Sequence, residues 1–191
     1  HMPLTAWGLH GEEIDKQIRF LLVVDEKSRQ PLYFRTVPGN IVDVVTLTNT
    51  VKELAQYGVD KAFAFLDAGF FSENNILEMY AAEMNFLTRL PSQRTLYNEL
   101  VHEHAKSLES YPNIVRNGER GLFVKQVEVD LFGKKAFAHL VLDPKRKGSE
   151  VDLLIVQNVD EAEKNAEDLE YFLMRRGRMI LVSSFTIPKT D

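Results

Sequence analysis

The stretch Lys61-Ala-Phe-Ala-Phe-Leu-Asp67-Ala-Gly69-Phe-Phe-Ser72 decides the fold class of this chain. Five of its first six residues are apolar, which predicts a short strand buried on both faces, as in the interior of a parallel sheet. Asp67 stands where that strand ends, and open α/β sheets bind their ligands at this edge. Gly69 permits a sharp turn or a close backbone approach to a ligand. Asp67 therefore has two interpretations, a cap of the following loop or a functional carboxylate.

The residues before this stretch predict a hairpin followed by a helix. Residues 3–15 are polar and are expected to be irregular. Residues 17–25 (QIRFLLVVD) and 31–37 (PLYFRTV) read as two strands joined by a polar turn, and a helix is expected from Asp43 to about residue 57. After the opening stretch, a helix over residues 73–83 and a strand over 85–90 follow. This order predicts an α/β fold with a mixed sheet flanked by helices.

After Pro91, the predicted order of elements changes from alternating strands and helices to a helix followed by consecutive strands. An amphipathic helix is expected first, and then three strands that form a β-meander. A helix with a capping box at Asp160 and Glu163, ended by Gly177, precedes a last apolar strand. The expected ranges are 92–108 for the first helix, 122–131, 135–142 and 151–157 for the meander, and 179–185 for the last strand.

Bulk properties exclude several classes of protein. The chain has 191 residues, 45% of them hydrophobic and 27% charged, as in an ordinary globular core. It contains no cysteine, which excludes a disulfide framework and thiol catalysis and fits a cytoplasmic protein. No apolar run reaches the ~20 residues that span a membrane. The net charge of −5 has the wrong sign for binding nucleic acid by bulk attraction alone.

Histidine, serine and basic clusters give weak signals. His102 and His104 point to different faces of a helix and are a poor metal pair. The run at residues 145–147 (KRK) is expected at a hairpin tip, as a solvated turn. Arginines near a helix C-terminus are expected to complement the helix dipole rather than to contact DNA. They are Arg175, Arg176 and Arg178.

The carboxylates carry the stronger chemistry. Two-metal phosphoryl transfer needs several Asp or Glu side chains that converge from different elements. Asp67 is well placed to be one of them. Asp43 follows the preceding strand and could approach the same edge, although it already caps a helix. Asp25 ends a strand before a turn and is assigned to the hairpin.

Three motifs follow one another along the chain: residues 39–47 (GNIVDVVTL), 65–75 (FLDAGFFSENN) and 85–90 (NFLTRL). Together they resemble motifs of the DDE transposases of bacterial and archaeal insertion sequences. Residues 39–47 are similar to a GN-x-x-D-x-x-T-L segment of that family. Residues 65–75 (FLDAGFFSENN) resemble the motif of its second catalytic aspartate, D-x-G-F followed by Asn. Residues 85–90 (NFLTRL) resemble the next strand, which often reads F-(I/L)-x-R. The motifs keep the family's order over roughly residues 15–91, and the later part resembles a β-rich insertion carried by one branch.

The resemblance implies an RNase H-like core that binds two Mg²⁺ ions through two Asp and one Glu. Asp67 would be the second catalytic Asp and a metal ligand. Gly39, Asn40 and Asp43, with Gly69, would be supporting residues that shape the turn and the helix start beside the site. The partner would be DNA at the transposon ends.

The family's first Asp and final Glu are expected to lie outside this chain, before and after it. One carboxylate cannot hold two Mg²⁺ ions, so we expect a fragment that is inactive in isolation. The expected domains are an incomplete core over residues 3–91, an insertion over 92–177 and a return strand over 178–191. An unpaired sheet edge would favour a homodimer. Two alternatives stay open: a non-catalytic RNase H-like interaction domain from a decayed transposase, and an unrelated α/β domain that binds a small ligand.

Overall fold

The structure is a computed structural model that describes residues 6–10, 13–25, 28–38, 44–58, 63–158 and 166–188. The chain divides into two compact units, His1–Lys61 and Ala62–Asp191. Within the described residues, no helix is long and apolar enough to cross a membrane.

The first unit is an antiparallel sheet of order β1-β2-β3 with one helix. The elements are β1 Ala6–His10, β2 Glu13–Val24, β3 Pro31–Pro38 and α1 Val44–Gln56. The predicted hairpin is confirmed, and Asp25 belongs to its turn, where Oδ1 accepts a hydrogen bond from the N–H of Ser28 at 2.6 Å. The prediction of irregular structure over residues 3–15 is wrong for the described part. There, β1 pairs with the beginning of β2, because alternation across a ladder tolerates the polar side chains of this segment.

An ion pair joins α1 to β3 within this unit. The guanidinium of Arg35 donates to Oγ1 of Thr50 at 3.0 Å and to Oε2 of Glu53 at 2.5 Å. Because Thr50 and Glu53 are three residues apart, they lie on one face of α1 and meet the same side chain. This contact connects α1 to the central part of β3.

The second unit contains a six-stranded mixed sheet of order β4-β5-β9-β8-β7-β6. β4 and β5 are parallel, and every other neighbouring pair is antiparallel. The mixed α/β class with flanking helices is therefore confirmed. The strands are β4 Phe63–Leu66, β5 Asn85–Arg89, β6 Ile114–Asn117, β7 Arg120–Leu131, β8 Lys134–Leu142 and β9 Arg178–Ser183. The helices are α2 Glu73–Ala81, α3 Thr95–Leu108, α4 Pro144–Asn158 and α5 Ala166–Arg175, with short 3₁₀ turns at Ala68–Phe70 and Tyr111–Asn113.

The core of this unit lies between the sheet and the helices α2 and α3. Each helix buries apolar residues at the three- and four-residue spacing that one face requires. α3 contacts β7, β8 and α5, and α2 contacts β5. The buried helical residues are Ile76, Met79, Tyr97, Leu100, Val101, Ala105 and Leu108. The strands contribute nearly inaccessible residues to the core, among them Phe86, Leu140, Leu142, Ile180 and Val182.

The prediction that the strand before Asp67 is buried on both faces is wrong. β4 is the edge strand of its sheet and alternates in burial. Ala64 is buried, whereas Phe63 is 37% and Phe65 77% exposed. Phe63 packs against the ring of Phe185 at 4.9 Å between centroids. The apolar run therefore has one covered face and one exposed aromatic face, a difference that an unbroken run of apolar letters does not encode.

The meander is confirmed for its first two strands, and the third prediction is wrong. Residues 151–157 belong to α4, and the third strand of this region is β6, which precedes β7. The run at residues 145–147 therefore lies in the first turn of a helix rather than at a hairpin tip. The reason is Asp143, whose Oδ1 accepts from the N–H groups of Lys145 and Arg146 at 2.9 and 3.1 Å. These bonds satisfy donors that a new helix leaves unpaired.

Candidate functional site

Asp67 directly follows β4 and caps the 3₁₀ turn Ala68–Phe70. Its backbone is extended, with φ −78° and ψ 177°, so the residue ends the strand before the chain turns. The side chain is exposed. The location at the carboxyl end of a strand that runs parallel to its neighbour is the place where α/β sheets present ligand-binding groups.

The carboxylate of Asp67 is held from one side. Oδ1 accepts a hydrogen bond from the N–H of Gly69 at 2.7 Å. A Cβ atom at position 69 would stand 3.0 Å from that same oxygen, closer than most such contacts allow. Gly69 therefore serves the close approach of the Asp67 side chain. In the described part of the chain, no donor contacts Oδ2, which leaves one carboxylate oxygen for an external ligand.

The loop after Asp67 is tied down by two further side chains. Oγ of Ser72 accepts from the N–H of Asn75 at 3.2 Å and caps α2. The Nδ2 group of Asn75 donates to the carbonyl of Phe70 at 2.9 Å. The asparagine of the motif thus closes the turn that Asp67 opens. Sequence reasoning quoted Asn75 but gave it no role, although an Asn beside a turn is a frequent partner of backbone carbonyls.

The neighbouring strand β5 holds the backbone of Asp67 through a side-chain hydrogen bond. Thr88 on β5 lies opposite Leu66, and its Oγ1 donates to the carbonyl of Asp67 at 3.1 Å. Thr88 is buried and Arg89, the next residue, is exposed. The parallel pairing therefore brings the ends of β4 and β5 to one edge. Sequence reasoning missed Thr88, for which only its place one residue before the motif arginine was available as a signal.

Two arginines bind the loops at this edge through backbone carbonyls. Arg94 donates to the carbonyl of Phe71 at 3.3 Å, and its guanidinium carbon lies 5.6 Å from the centre of the Phe71 ring. Arg175, in the last turn of α5, donates to the carbonyl of Ser92 at 2.9 Å. The loops after β4 and β5 thus carry guanidiniums as well as the carboxylate. Arg94 was not singled out from the sequence, and Arg175 was assigned to the helix dipole.

A metal centre is incomplete in the described residues, which contain no group of three His, Cys, Asp or Glu side chains able to hold an ion. Asp67 supplies the type of oxygen that Mg²⁺ prefers, but several such ligands must converge. Gly39, Asn40 and Asp43 lie outside the described residues, as do Asp160 and Glu163. At the carboxyl end of β4, the Asp67 carboxylate can contribute one ligand, and the described residues do not add two more beside it.

The histidines have other partners. His102 stacks on the ring of Tyr171 at 5.2 Å, and Nδ1 of His104 lies 3.3 Å from Nζ of Lys125. His139 is buried, and its Nε2 lies 2.7 Å from Oγ of Ser183. That hydroxyl donates to the carbonyl of Phe185, so the imidazole is the donor in the pair. Burial lowers the pKa of His139. The pair lacks the exposed, activated hydroxyl of a nucleophile.

Comparison with protein families gives a match over most of the chain. The family described as "Transposase DDE domain" matches residues 7–178, which is most of the chain. The match includes all three motifs and the segment that carries β6 to β8. Comparison with curated proteins found no match.

Proposed function

Because the chain belongs to the transposase DDE domain family, we propose that it is part of an RNase H-like transposase that cuts and joins DNA in the cytoplasm. The partner is DNA at the ends of a mobile element. Family membership also excludes an unrelated α/β domain that binds a small ligand.

One observation supports a role for Asp67 in this chemistry. Its exposed carboxylate stands at the joined ends of two parallel strands, with Oδ1 fixed by Gly69 and Oδ2 without a donor in the described part of the chain. We assign Asp67 as the catalytic carboxylate and Mg²⁺ ligand. When bound, Mg²⁺ supplies an activated nucleophile and stabilises charge on the phosphate. Gly69 holds the carboxylate in place, and Gly39, Asn40 and Asp43 shape the adjacent turn and helix start.

In this proposal, the isolated chain is inactive. A pair of Mg²⁺ ions needs several converging oxygen ligands. Asp67 can provide one carboxylate, and the described residues contain no group of three possible ligands. The other ligands come from residues that the structure does not describe or from other parts of the protein.

The domain division over residues 3–91, 92–177 and 178–191 remains part of the proposal. The pairing of β9 supports the return strand. This strand bonds to β5 on one side and to β8 on the other, so it joins the region of the second aspartate motif to the β-rich region.

The edge strand supports a homodimer. Among the described residues, β4 pairs with β5 alone, and Phe65 within β4 is 77% exposed. Open strand edges template pairing with another chain, and aromatic side chains add apolar area to such a contact. The occupant we propose is β4 of a second copy.

The non-catalytic alternative has one observation in its favour, the lack of a three-carboxylate group among the described residues. A domain from a decayed transposase would keep the fold and lose the metal site. Metal binding at Asp67 would favour the catalytic reading over this one.

The test is a titration of Mn²⁺ into ¹⁵N-labelled protein, followed by NMR. The proposal predicts selective broadening of amides in residues 66–72, its loss in Asp67→Asn and its retention in Glu73→Gln, an exposed carboxylate on the next helix. Absence of selective broadening would count against Asp67 as a metal ligand, whereas transposition by the complete reading frame decides whether the parent protein is catalytic. In parallel, the isolated chain should not nick plasmid DNA with Mg²⁺. Nicking that Asp67→Ala abolishes would refute the predicted inactivity.

A further inference from the structure

Three arginines lie near the carboxyl ends of β4 and β5, where Asp67 also lies. Arg89 ends β5, Arg94 precedes α3 and Arg175 lies in the last turn of α5. They come from three elements that are distant in the chain. Their convergence on one edge is therefore a property of the fold rather than of a basic run in the sequence.

No carboxylate pairs with these three guanidiniums within 4.0 Å in the described residues. Other cations of the unit do find such partners: Arg178 lies 3.2 Å and Lys147 2.7 Å from Oε1 of Glu109. The chain as a whole carries a net charge of −5, so acidic groups are not scarce. Three unpaired arginines on one edge of an acidic protein mark a local site for an anion.

Aromatic rings hold two of the three in place. The guanidinium carbon of Arg175 lies 5.5 Å from the centre of the Tyr97 ring and 5.3 Å from that of Tyr171. Arg94 lies over Phe71 at 5.6 Å. A guanidinium carries five N–H donors in a rigid fork, and each of these two uses one on a backbone carbonyl. The stacked groups thus keep most of their donors for a ligand without further ordering.

The third arginine, Arg89, ends β5 and acts electrostatically on Tyr97, the tyrosine that Arg175 contacts. Burial raises the pKa of the Tyr97 hydroxyl, and the guanidiniums of Arg175, Arg178 and Arg89 oppose that rise. The side chain of Arg89 is exposed and makes no hydrogen bond in the described part of the chain. Its charge is therefore present at the edge without a structural partner.

Hydrogen bonds connect the three arginines, or residues next to them, to the loops beside Asp67. Arg94 binds the carbonyl of Phe71, the residue that ends the turn capped by Asp67. Arg89 follows Thr88, whose hydroxyl binds the carbonyl of Asp67. Arg175 binds Ser92 in the loop between Arg89 and Arg94. The guanidiniums of Arg94 and Arg175 thus bind the loops that follow β4 and β5, and the first of these loops also carries the Asp67 carboxylate.

We infer that Arg89, Arg94 and Arg175 bind the phosphodiester backbone of the DNA strand whose reacting phosphate is presented to Asp67. This rests on the proposed function and adds the residues that position its substrate. Arginine forks match phosphate oxygens in pairs, and such backbone contacts fix the register of DNA without reading its sequence. All three are positioning residues, since the reacting atoms belong to the Asp67 site.

The test is binding of a fluorescent DNA duplex, measured by anisotropy across a series of salt concentrations. Each of Arg89→Gln, Arg94→Gln and Arg175→Gln should weaken binding about tenfold at low salt, equally for two unrelated sequences. Each should also reduce the slope of log K against log salt by about 0.9, the value for one lost phosphate contact. Arg116→Gln is the matched control, because Arg116 has no ion pair in the described residues and lies on β6, the opposite edge of the sheet.

The outcomes are separable. Wild-type binding with unchanged affinity and slope in the three variants would overturn the assignment of these arginines and leave the DNA function standing. Absence of any duplex binding by the wild type would overturn both. Arg175→Gln loses aromatic contacts and could unfold, which a circular dichroism melt detects. The Arg89 guanidinium makes no hydrogen bond or ion pair in the described part of the chain, so Arg89→Gln is not expected to unfold the protein, and it decides the question in that case.

Discussion

The N–H of Gly69 donates to Oδ1 of Asp67 at 2.7 Å, and a Cβ at position 69 would stand only 3.0 Å from that oxygen. The glycine of the motif thus allows the side chain two residues earlier to approach the backbone closely. Gly69 does not have a positive φ, so backbone strain is not the reason for its presence. A methyl group there would press on the carboxylate and leave the turn itself intact.

Gly69→Ala is expected to displace the Asp67 carboxylate while the fold survives. Selective Mn²⁺ broadening around Asp67 should weaken or disappear, and the free energy of unfolding should fall by about 1 kcal/mol or less. Gly121→Ala is the control, since Gly121 has no positive φ and open space around its Cα. Equal Mn²⁺ responses in the two variants would show that Gly69 does not position the carboxylate.

Gly177→Ala is expected to destabilise the second unit strongly. Gly177 has φ +68°, and an added Cβ would lie 2.6 Å from the backbone nitrogen of Lys147, which cannot move aside alone. Left-handed backbone costs about 1 kcal/mol and overpacking about 1–3, so a loss of roughly 2–4 kcal/mol should appear in urea unfolding.

The control for that substitution is Gly133→Ala. Gly133 has φ +75° but open space around it, so it carries the backbone cost alone. The difference between the two variants measures the contact of Gly177 with α4. Equal losses would mean that α4 does not pack against the turn before β9.

The contact between Gly177 and α4 shows where sequence reasoning stopped. Gly177 was predicted to end a helix, and α5 does end just before it. The run over residues 151–157 (VDLLIVQ) was predicted as a strand because β-branched residues favour strands locally. Asp143 followed by Pro144 was the available signal for a helix start, since Pro is favoured in the first helical turn. It was interpreted as a turn, and the capping bonds of Asp143 overrode the strand propensity.

The buried pair His139 and Ser183 predicts a pH dependence of stability. The pKa of His139 is lowered by burial, so the folded state favours the neutral imidazole. The stabilisation is present above the unfolded pKa of about 6.5 and is lost as the pH falls from there toward the folded value. The free energy of unfolding should therefore decrease between about pH 7 and 5.5.

His139→Gln should flatten much of this slope, because the amide can still donate to the Ser183 hydroxyl but does not titrate. The remaining slope should include His104, whose pKa is lowered by burial first and by the ammonium of Lys125 second, with Glu103 opposing. His104→Gln in the His139→Gln background would then flatten it further. Urea unfolding at several pH values is the measurement, and an unchanged slope in His139→Gln would contradict the account.

β4 is the terminal strand of its sheet in the described part of the chain, which predicts concentration-dependent association. Light scattering coupled to size-exclusion chromatography should show a fraction of dimer that increases with protein concentration. Phe65→Lys should return the chain to a monomer, because charged residues on an edge strand oppose pairing. Phe65 is 77% exposed, so the free energy of unfolding should change by less than about 0.5 kcal/mol. A wild-type chain that stays monomeric over the series would remove the homodimer.

The part of the site that could be predicted from the sequence is the part formed by residues close together in the chain. Asp67, Gly69 and Ser72 act within a few residues of one another, and such local capping is written in sequence order. Thr88, Arg94 and Arg175 reach the same edge only through strand pairing and helix packing. The edge position of β4 likewise depends on which strands pair, and the periodicity of its own residues could not fix it.

The central claim is that the Asp67 carboxylate holds the metal that supports DNA cutting and joining. The most direct measurement is transposition by the complete reading frame that contains residues 3–191, with Asp67→Asn compared with Glu73→Gln. Asparagine keeps an oxygen to accept the N–H of Gly69, so the loop should remain folded while the charge is lost. The account predicts a fall of about a thousandfold for Asp67→Asn, from several kcal/mol of lost charge stabilisation, and near wild-type transposition for Glu73→Gln. Wild-type transposition by Asp67→Asn would contradict it.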